Sequence, residues 1–122
     1  MTSESTASPI GHIVIPAPDL PKARDFYSRV FGWQVQANVP GPTYWFYRSG
    51  NVGGAFDARA KPARGAVVLI LTVDDMVKSL ALIEKNGGTI TRSRCAIGEA
   101  HHGYDAYFLD PNGNEMGVYS ER

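Results

Sequence analysis

One order of elements, a strand, a helix and then three strands, occurs twice in this chain of 122 residues. That repeat restricts the fold more than any other feature. In the first unit, Ile10–Pro16 reads as a β-branched strand closed by proline. Asp19 is placed to cap a helix with Pro21 in its first turn. Leu20, Ala23, Phe26, Tyr27, Val30 and Phe31 recur at helical spacing until Gly32 stops the run. Strands follow at 33–38, 43–48 and 52–56, separated by Pro40-Gly41-Pro42 and Ser49-Gly50-Asn51. In the second unit the spacing predicts a strand over 66–73, a helix capped by Asp74 or Asp75 and stopped by Gly87-Gly88, and strands at 89–93, 104–109 and 114–119. Asp19 falls on Asp75 and Gly32 on Gly88 at an offset of 56 residues. The last strands need another offset, 63, which lays Asn51 on Asn114 and Gly54 on Gly117.

Two such units of roughly 55 residues would each be marginal alone, so they are expected to pair. The expected class is α+β: two tandem βαβββ modules whose curled mixed sheets surround a shared cavity, with the helices outside. Module one spans about 10–57 and module two about 66–120, joined by a small, polar and basic linker at 58–65. Residues 1–9 are expected to form a flexible tail. The near-continuous apolar run at 66–71 predicts a strand buried on both faces.

Composition narrows the function by exclusion. Lys+Arg and Asp+Glu number 12 each, so the chain lacks the basic excess of a nucleic-acid or anionic-membrane surface. The single cysteine, Cys95, rules out an intrachain disulfide and a cysteine-rich metal site. No apolar run is long enough to span a bilayer, and the first residues lack a signal-peptide pattern. The expectation is a cytoplasmic protein, with no nucleic acid or membrane as partner. Zero net charge in so small a domain favours self-association, so a homodimer is expected.

The segments Gly11-His12-Ile13-Val14-Ile15, Phe26-Tyr27 with Phe31-Gly32-Trp33, Val73-Asp74-Asp75, Gly87-Gly88 and Asp110-Pro111-Asn112-Gly113-Asn114 together resemble the vicinal oxygen chelate superfamily. That superfamily holds glyoxalase I, extradiol dioxygenases and the bleomycin- and fosfomycin-resistance proteins. The resemblance covers about residues 10–120 and implies a fold, not a reaction. Its metal enzymes hold a divalent ion through His or Gln on the first strand and Glu on the last strand of each module. The repeat puts those positions at His12, Val68, Gly54 and Gly117, and only His12 carries a donor. Glu115 shares the face of Gly117 but stands nearer the turn, about 6–7 Å along the strand. The resemblance therefore implies a protein of this fold without the family metal site or any other cofactor, and it disfavours glyoxalase I chemistry.

His12 should face the cavity, since Ile13 and Ile15 belong against the helices. It can act as an acid/base, a hydrogen-bond partner of a ligand, or a structural residue. Trp45 and Tyr47 share one strand face, Tyr44 and Phe46 the other. By the offset of 63, Phe56 and Tyr119 share the cavity face with the two glycines. Asp105 and Tyr107 lie on one face of their strand. The expected ligand-binding set is His12, Trp45, Tyr47, Phe56, Asp105, Tyr107 and Tyr119, suited to a flat or apolar small molecule. Enlarging Gly54 or Gly117 should then block binding while the fold survives. Glu99, His101 and His102 share a loop and form an alternative metal candidate without a recognised spacing, and Cys95 beside Arg92 and Arg94 reads as a free thiol. Two functions stand side by side: a metal-independent small-molecule binder, and an isomerase, lyase or dioxygenase-type enzyme using His12 as acid/base or an atypical metal site.

Overall fold

A computed structural model describes residues 7–64, 67–98 and 102–122. Its element order is β1 (His12–Pro16), α1 (Leu20–Phe31), β2 (Gln34–Gly41), β3 (Tyr44–Ser49), β4 (Val52–Asp57), β5 (Leu69–Thr72), α2 (Met76–Lys85), β6 (Thr89–Ala96), β7 (Tyr104–Leu109) and β8 (Glu115–Ser120). The strands form two four-stranded sheets, ordered β1-β4-β3-β2 and β5-β8-β7-β6. In each sheet the first strand runs parallel to the last, and the other pairs are antiparallel. These are the two βαβββ modules expected from the repeat.

Local chemistry sets the helix ends where the sequence marks them. Asp19 accepts from the Lys22 N–H at 3.0 Å, and Asp75 from the Lys78 N–H at 3.0 Å. Each satisfies an amide that has no partner within its own helix. Gly32 takes the left-handed conformation, φ 72°, that closes α1. The amphipathic face of α1 buries Leu20, Ala23, Phe26 and Tyr27. The Tyr27 ring stacks on Trp33 at 4.6 Å and lies 5.4 Å from Phe56. Phe26 reaches the other sheet, its ring 5.9 Å from that of Phe108 on β7. One hydrophobic core therefore serves both modules, as two half-sized units require.

The turn Asp110-Pro111-Asn112-Gly113-Asn114 is the second bond between the modules. Asp110 is 4% exposed. Its carboxylate accepts from the Tyr27 hydroxyl at 2.8 Å, from the backbone amides of Asn112 and Asn114 at 2.9 Å each, and from the Asn114 side chain at 2.9 Å. Asn114 also donates to the Pro16 carbonyl at 2.7 Å. Asn112 donates to the Asp19 carbonyl at 3.1 Å and accepts from the Asp19 amide at 2.8 Å. The turn thus grips the β1–α1 junction of module one. Burial, with the Asp110 carboxylate beside it, pushes the Tyr27 hydroxyl well above its ordinary pKa, so it stays a donor.

Strand boundaries shift by a few residues. β2 runs on to Gly41 past a register irregularity between Gln36 and Pro40, and β6 extends to Ala96. β5 departs from expectation in burial. Leu69 and Leu71 are half-buried, whereas Ile70 and Thr72 are exposed. β5 is an edge strand with only one face against the core, so its apolar run is not covered on both sides.

Candidate functional site

Each sheet has one face on the shared core and one open face. Cross-strand partners share a face, so the register assigns every side chain. In module one the core face carries Ile13, Ile15, Trp45, Tyr47, Gly54 and Phe56, paired as Ile13↔Gly54↔Tyr47 and Ile15↔Phe56↔Trp45. The open face carries His12, Gly53, Arg48 and Gln34 in one row across the sheet. Val14, Ala55, Phe46 and Gln36 form the next row.

This placement differs from the expected one for Phe56, Trp45 and Tyr47, which stand on the core face. Phe56 is fully buried, with Tyr47 at 4.9 Å and Trp33 at 6.3 Å, and does not face a cavity. Trp45 is buried in the same core. The Tyr47 ring stacks on Trp33 at 4.6 Å, and its hydroxyl donates to the Ile13 carbonyl at 2.8 Å. The error is one residue of register. Phe56 pairs with Ile15 as Val118 pairs with Leu71, so the modules superpose at their last strands with an offset of 62, not 63. Because side chains alternate with a period of two, that single step moves Gly54 and Phe56 to the opposite face. Ala55 is then the counterpart of Gly117.

His12 lies on the open face. Its Nε2 shares a hydrogen bond of 3.0 Å with the Tyr44 hydroxyl, and its ring meets Phe46 edge-on at 6.3 Å. Gly53 and Ala55 on β4 carry no bulk between β1 and β3, which leaves a trough for the imidazole to cross. Arg48 lies along that trough, its guanidinium 3.4 Å from where a Gly53 Cβ would stand. His12, Gln34, Gln36, Phe46, Arg48 and Gly53 line a cavity of about 300 Å³, which Tyr47 and Gly54 border. Gln34, Gln36 and Arg48 are absent from the expected set, which holds Trp45 and Tyr47 in place of Tyr44 and Phe46. The usable signal was the alternation Tyr44-x-Phe46-x-Arg48, opposite in phase to the core rings.

The other expected residues gather on the open face of module two. Asp105 pairs with Tyr119, and Tyr107 with Gly117. Arg92 joins them, with its guanidinium 2.5 Å from Asp105 and 4.7 Å from the Tyr107 ring centre. The bond to Asp105 raises the Arg92 pKa and ties up the carboxylate. Asp105, Tyr107 and Tyr119 are therefore together, but none lines the His12 cavity. Glu115 borders a separate cleft of about 210 Å³ with Val14, Pro16 and Leu69. Cys95 is exposed, and neighbouring Arg94 stacks on Tyr104 at 3.6 Å. His102 is exposed, while Glu99 and His101 lie outside the described residues.

The donor set does not fit the divalent metal that the resemblance implies. His12 is the sole donor among its four positions, since Val68, Gly117 and Ala55 (or Gly54, by the sequence offset) offer none. Among the described residues no group of three or more His, Cys, Asp and Glu could hold an ion. No helix among them is long and apolar enough to cross a membrane.

Comparison with known proteins agrees with the architecture. A glyoxylase-like domain-containing protein of Didymella fabae is 32% identical over 118 residues, covering 89% of this chain and 91% of its own. A glyoxalase/bleomycin resistance protein/dioxygenase family enzyme from Burkholderia phytofirmans has a similar fold, with a TM-score of 0.77 at 19% identity over 94% of this chain and all of its own. The genomically encoded fosfomycin resistance protein of Listeria monocytogenes superposes with a TM-score of 0.73 at 12% identity, covering 94% of each chain. Lactoylglutathione lyase from Agrobacterium tumefaciens does so with 0.66 at 23% identity, covering 95% of this chain and 96% of its own. The family model for the Glyoxalase/Bleomycin resistance protein/Dioxygenase superfamily matches residues 9–118, and the chain belongs to that superfamily.

Proposed function

We propose that this protein binds a small molecule on the open sheet face of module one and does so without the family's metal. The observation that carries the reading is the replacement of a chelating set by an organic one. Around His12 stand a phenol, a phenyl ring, a guanidinium and two amides, while the other metal positions hold Val, Ala and Gly. Such a surface hydrogen-bonds and stacks. It is part of one functional unit from about residue 10 to residue 120, acting in the cytoplasm.

A homodimer belongs to this proposal. Val14, Phe46 and Ile70 are exposed apolar side chains on the two open faces. A second copy laid over them would bury what one chain leaves in water. It would also roof the His12 trough, and the open face of module two, with Asp105, Tyr107 and Tyr119, is available for that purpose.

The 3.0 Å bond between His12 and Tyr44 supports a second reading, an enzyme of isomerase or lyase type. There His12 exchanges the proton and Tyr44 holds the imidazole in place. The deciding experiment measures metal content in protein purified without chelator, together with a thermal-shift screen of small organic molecules. The binding reading expects substoichiometric metal and stabilisation by ligands, about 2.7 kcal/mol at 100-fold over the dissociation constant. A stoichiometric ion whose removal lowers Tm overturns it.

A further inference from the structure

The trough has a charge that its surroundings leave unbalanced. Its lining contains Arg48 and His12 and no Asp or Glu. Among the described residues Arg48 enters no ion pair, whereas Arg24, Arg59 and Arg92 each have a carboxylate. Asp57, the acid on the open face of β4, stands two rows away and is held by the Arg59 amide at 2.9 Å and its guanidinium at 3.1 Å. The geometry is also specific. His12 and Arg48 are the two cross-strand neighbours of Gly53, one on each side. Adjacent strands lie about 4.8 Å apart, so the two backbones stand roughly 10 Å from each other with a bare glycine between them. The Arg48 guanidinium lies over that glycine, so a group set between it and His12 is within reach of both side chains. Phe46, one row on, is an exposed aromatic side chain.

Resting on the binding reading above, we infer that the ligand is a small organic carboxylate, its carboxyl group held against the Arg48 guanidinium, which lies over Gly53, on the side that faces His12, and its flat or apolar part laid on Phe46. A guanidinium matches a carboxylate with two parallel N–H donors, which a neutral amide cannot use equally. In the tautomer whose Nε2 accepts from the Tyr44 hydroxyl, His12 adds its Nδ1–H. Gln34 and Gln36 supply amides for a hydroxyl or carbonyl on the same ligand. Gly53 is needed because a larger side chain would displace the guanidinium that lies against it.

The test uses the full chain, labelled with ¹⁵N, titrated with benzoate, with its neutral isostere benzamide and with inorganic phosphate. Benzoate is expected to shift the amides around His12, Phe46, Arg48 and Gly53 and to bind at least tenfold more tightly than benzamide. Phosphate at equal concentration should not displace it. R48Q should weaken benzoate tenfold or more and leave benzamide unchanged, and R48K should recover part of the loss. Both variants stand on an exposed side chain, and an unchanged Tm checks their folding. Equal binding of benzoate and benzamide at the trough overturns the carboxylate inference while the site stands. Displacement by phosphate also overturns it, showing a general anion site. If neither aromatic probe moves the trough amides, the site reading falls and takes this inference with it.

Discussion

The Tyr27 hydroxyl donates to Asp110 Oδ2 at 2.8 Å, joining the helix of module one to a turn of module two across 83 residues of chain. The bond is buried, and it organises the Asp-Pro-Asn-Gly-Asn turn as a clasp between modules. Tyr27→Phe removes one donor from a buried carboxylate. The expected cost is about 1–3 kcal/mol, read as a lower urea midpoint with an unchanged m-value.

The same tyrosine gives an alkaline signature. Its folded pKa lies well above the unfolded value near 10, chiefly through burial. Tyr47 is raised too, for the same reason. A tyrosine whose folded pKa is raised keeps its proton in the native state while the unfolded chain loses it. Stability is therefore full below about pH 10 and falls as pH rises further, by about 1.4 kcal/mol per pH unit for each such group. Urea titrations from pH 9 to 11 should show a shallower fall for Tyr27→Phe than for the parent. Parallel slopes would contradict the assignment.

Gly54 and Gly117 should respond differently to enlargement. A Cβ at Gly54 would collide with the Ile13 carbonyl, a fixed part of the sheet, and stand 2.5 Å from the Tyr47 hydroxyl, which is bonded to that same carbonyl. At Gly117 the first obstacle is the end of the flexible Ile70 side chain, followed by the Ala106 carbonyl at 3.1 Å. Gly54→Ala is expected to lower Tm severely or abolish folding. Gly117→Ala should cost less, and part of that loss should return with Ile70→Val. From the sequence alone, the fold is expected to survive enlargement at both positions. Comparable Tm losses at the two sites would refute the register described above.

Self-association is checked through Ile70 and Val14, both exposed on the open faces. The parent chain is expected to sediment as a dimer at micromolar concentration. Ile70→Glu should shift it to monomer with its far-UV spectrum intact, since the side chain lies outside the core. A monomeric parent would remove the proposed roof of the trough.

His12 is not expected to control metal content. His12→Ala should leave the metal-to-protein ratio where it was and lower affinity for trough ligands. A drop in bound ion would revive the chelating site.

Local rules were readable along the chain. Asp19 and Gly32 act within one helical turn, so residue type and spacing alone placed α1 and its ends; for α2 they left Asp74 and Asp75 as alternative caps, and the helix closes on Asn86, just before Gly87-Gly88. The repeated order of elements determined the two modules, because each strand announces itself over a few residues. Which face a strand turns inward depends on its neighbour. The offset of 63 aligned glycines of like appearance, Gly54 and Gly117, yet the parallel pairing with β1 makes Ala55 the counterpart of Gly117. Since the strand period is two, that one residue exchanged Phe56 for the true open-face residues and hid Phe46 and Arg48. The Asp-Pro-Asn-Gly-Asn turn was legible as a turn from its composition. That its asparagines hold Pro16 and Asp19 arises only when segments more than 90 residues apart meet, and pairing at that distance leaves no local pattern in a sequence.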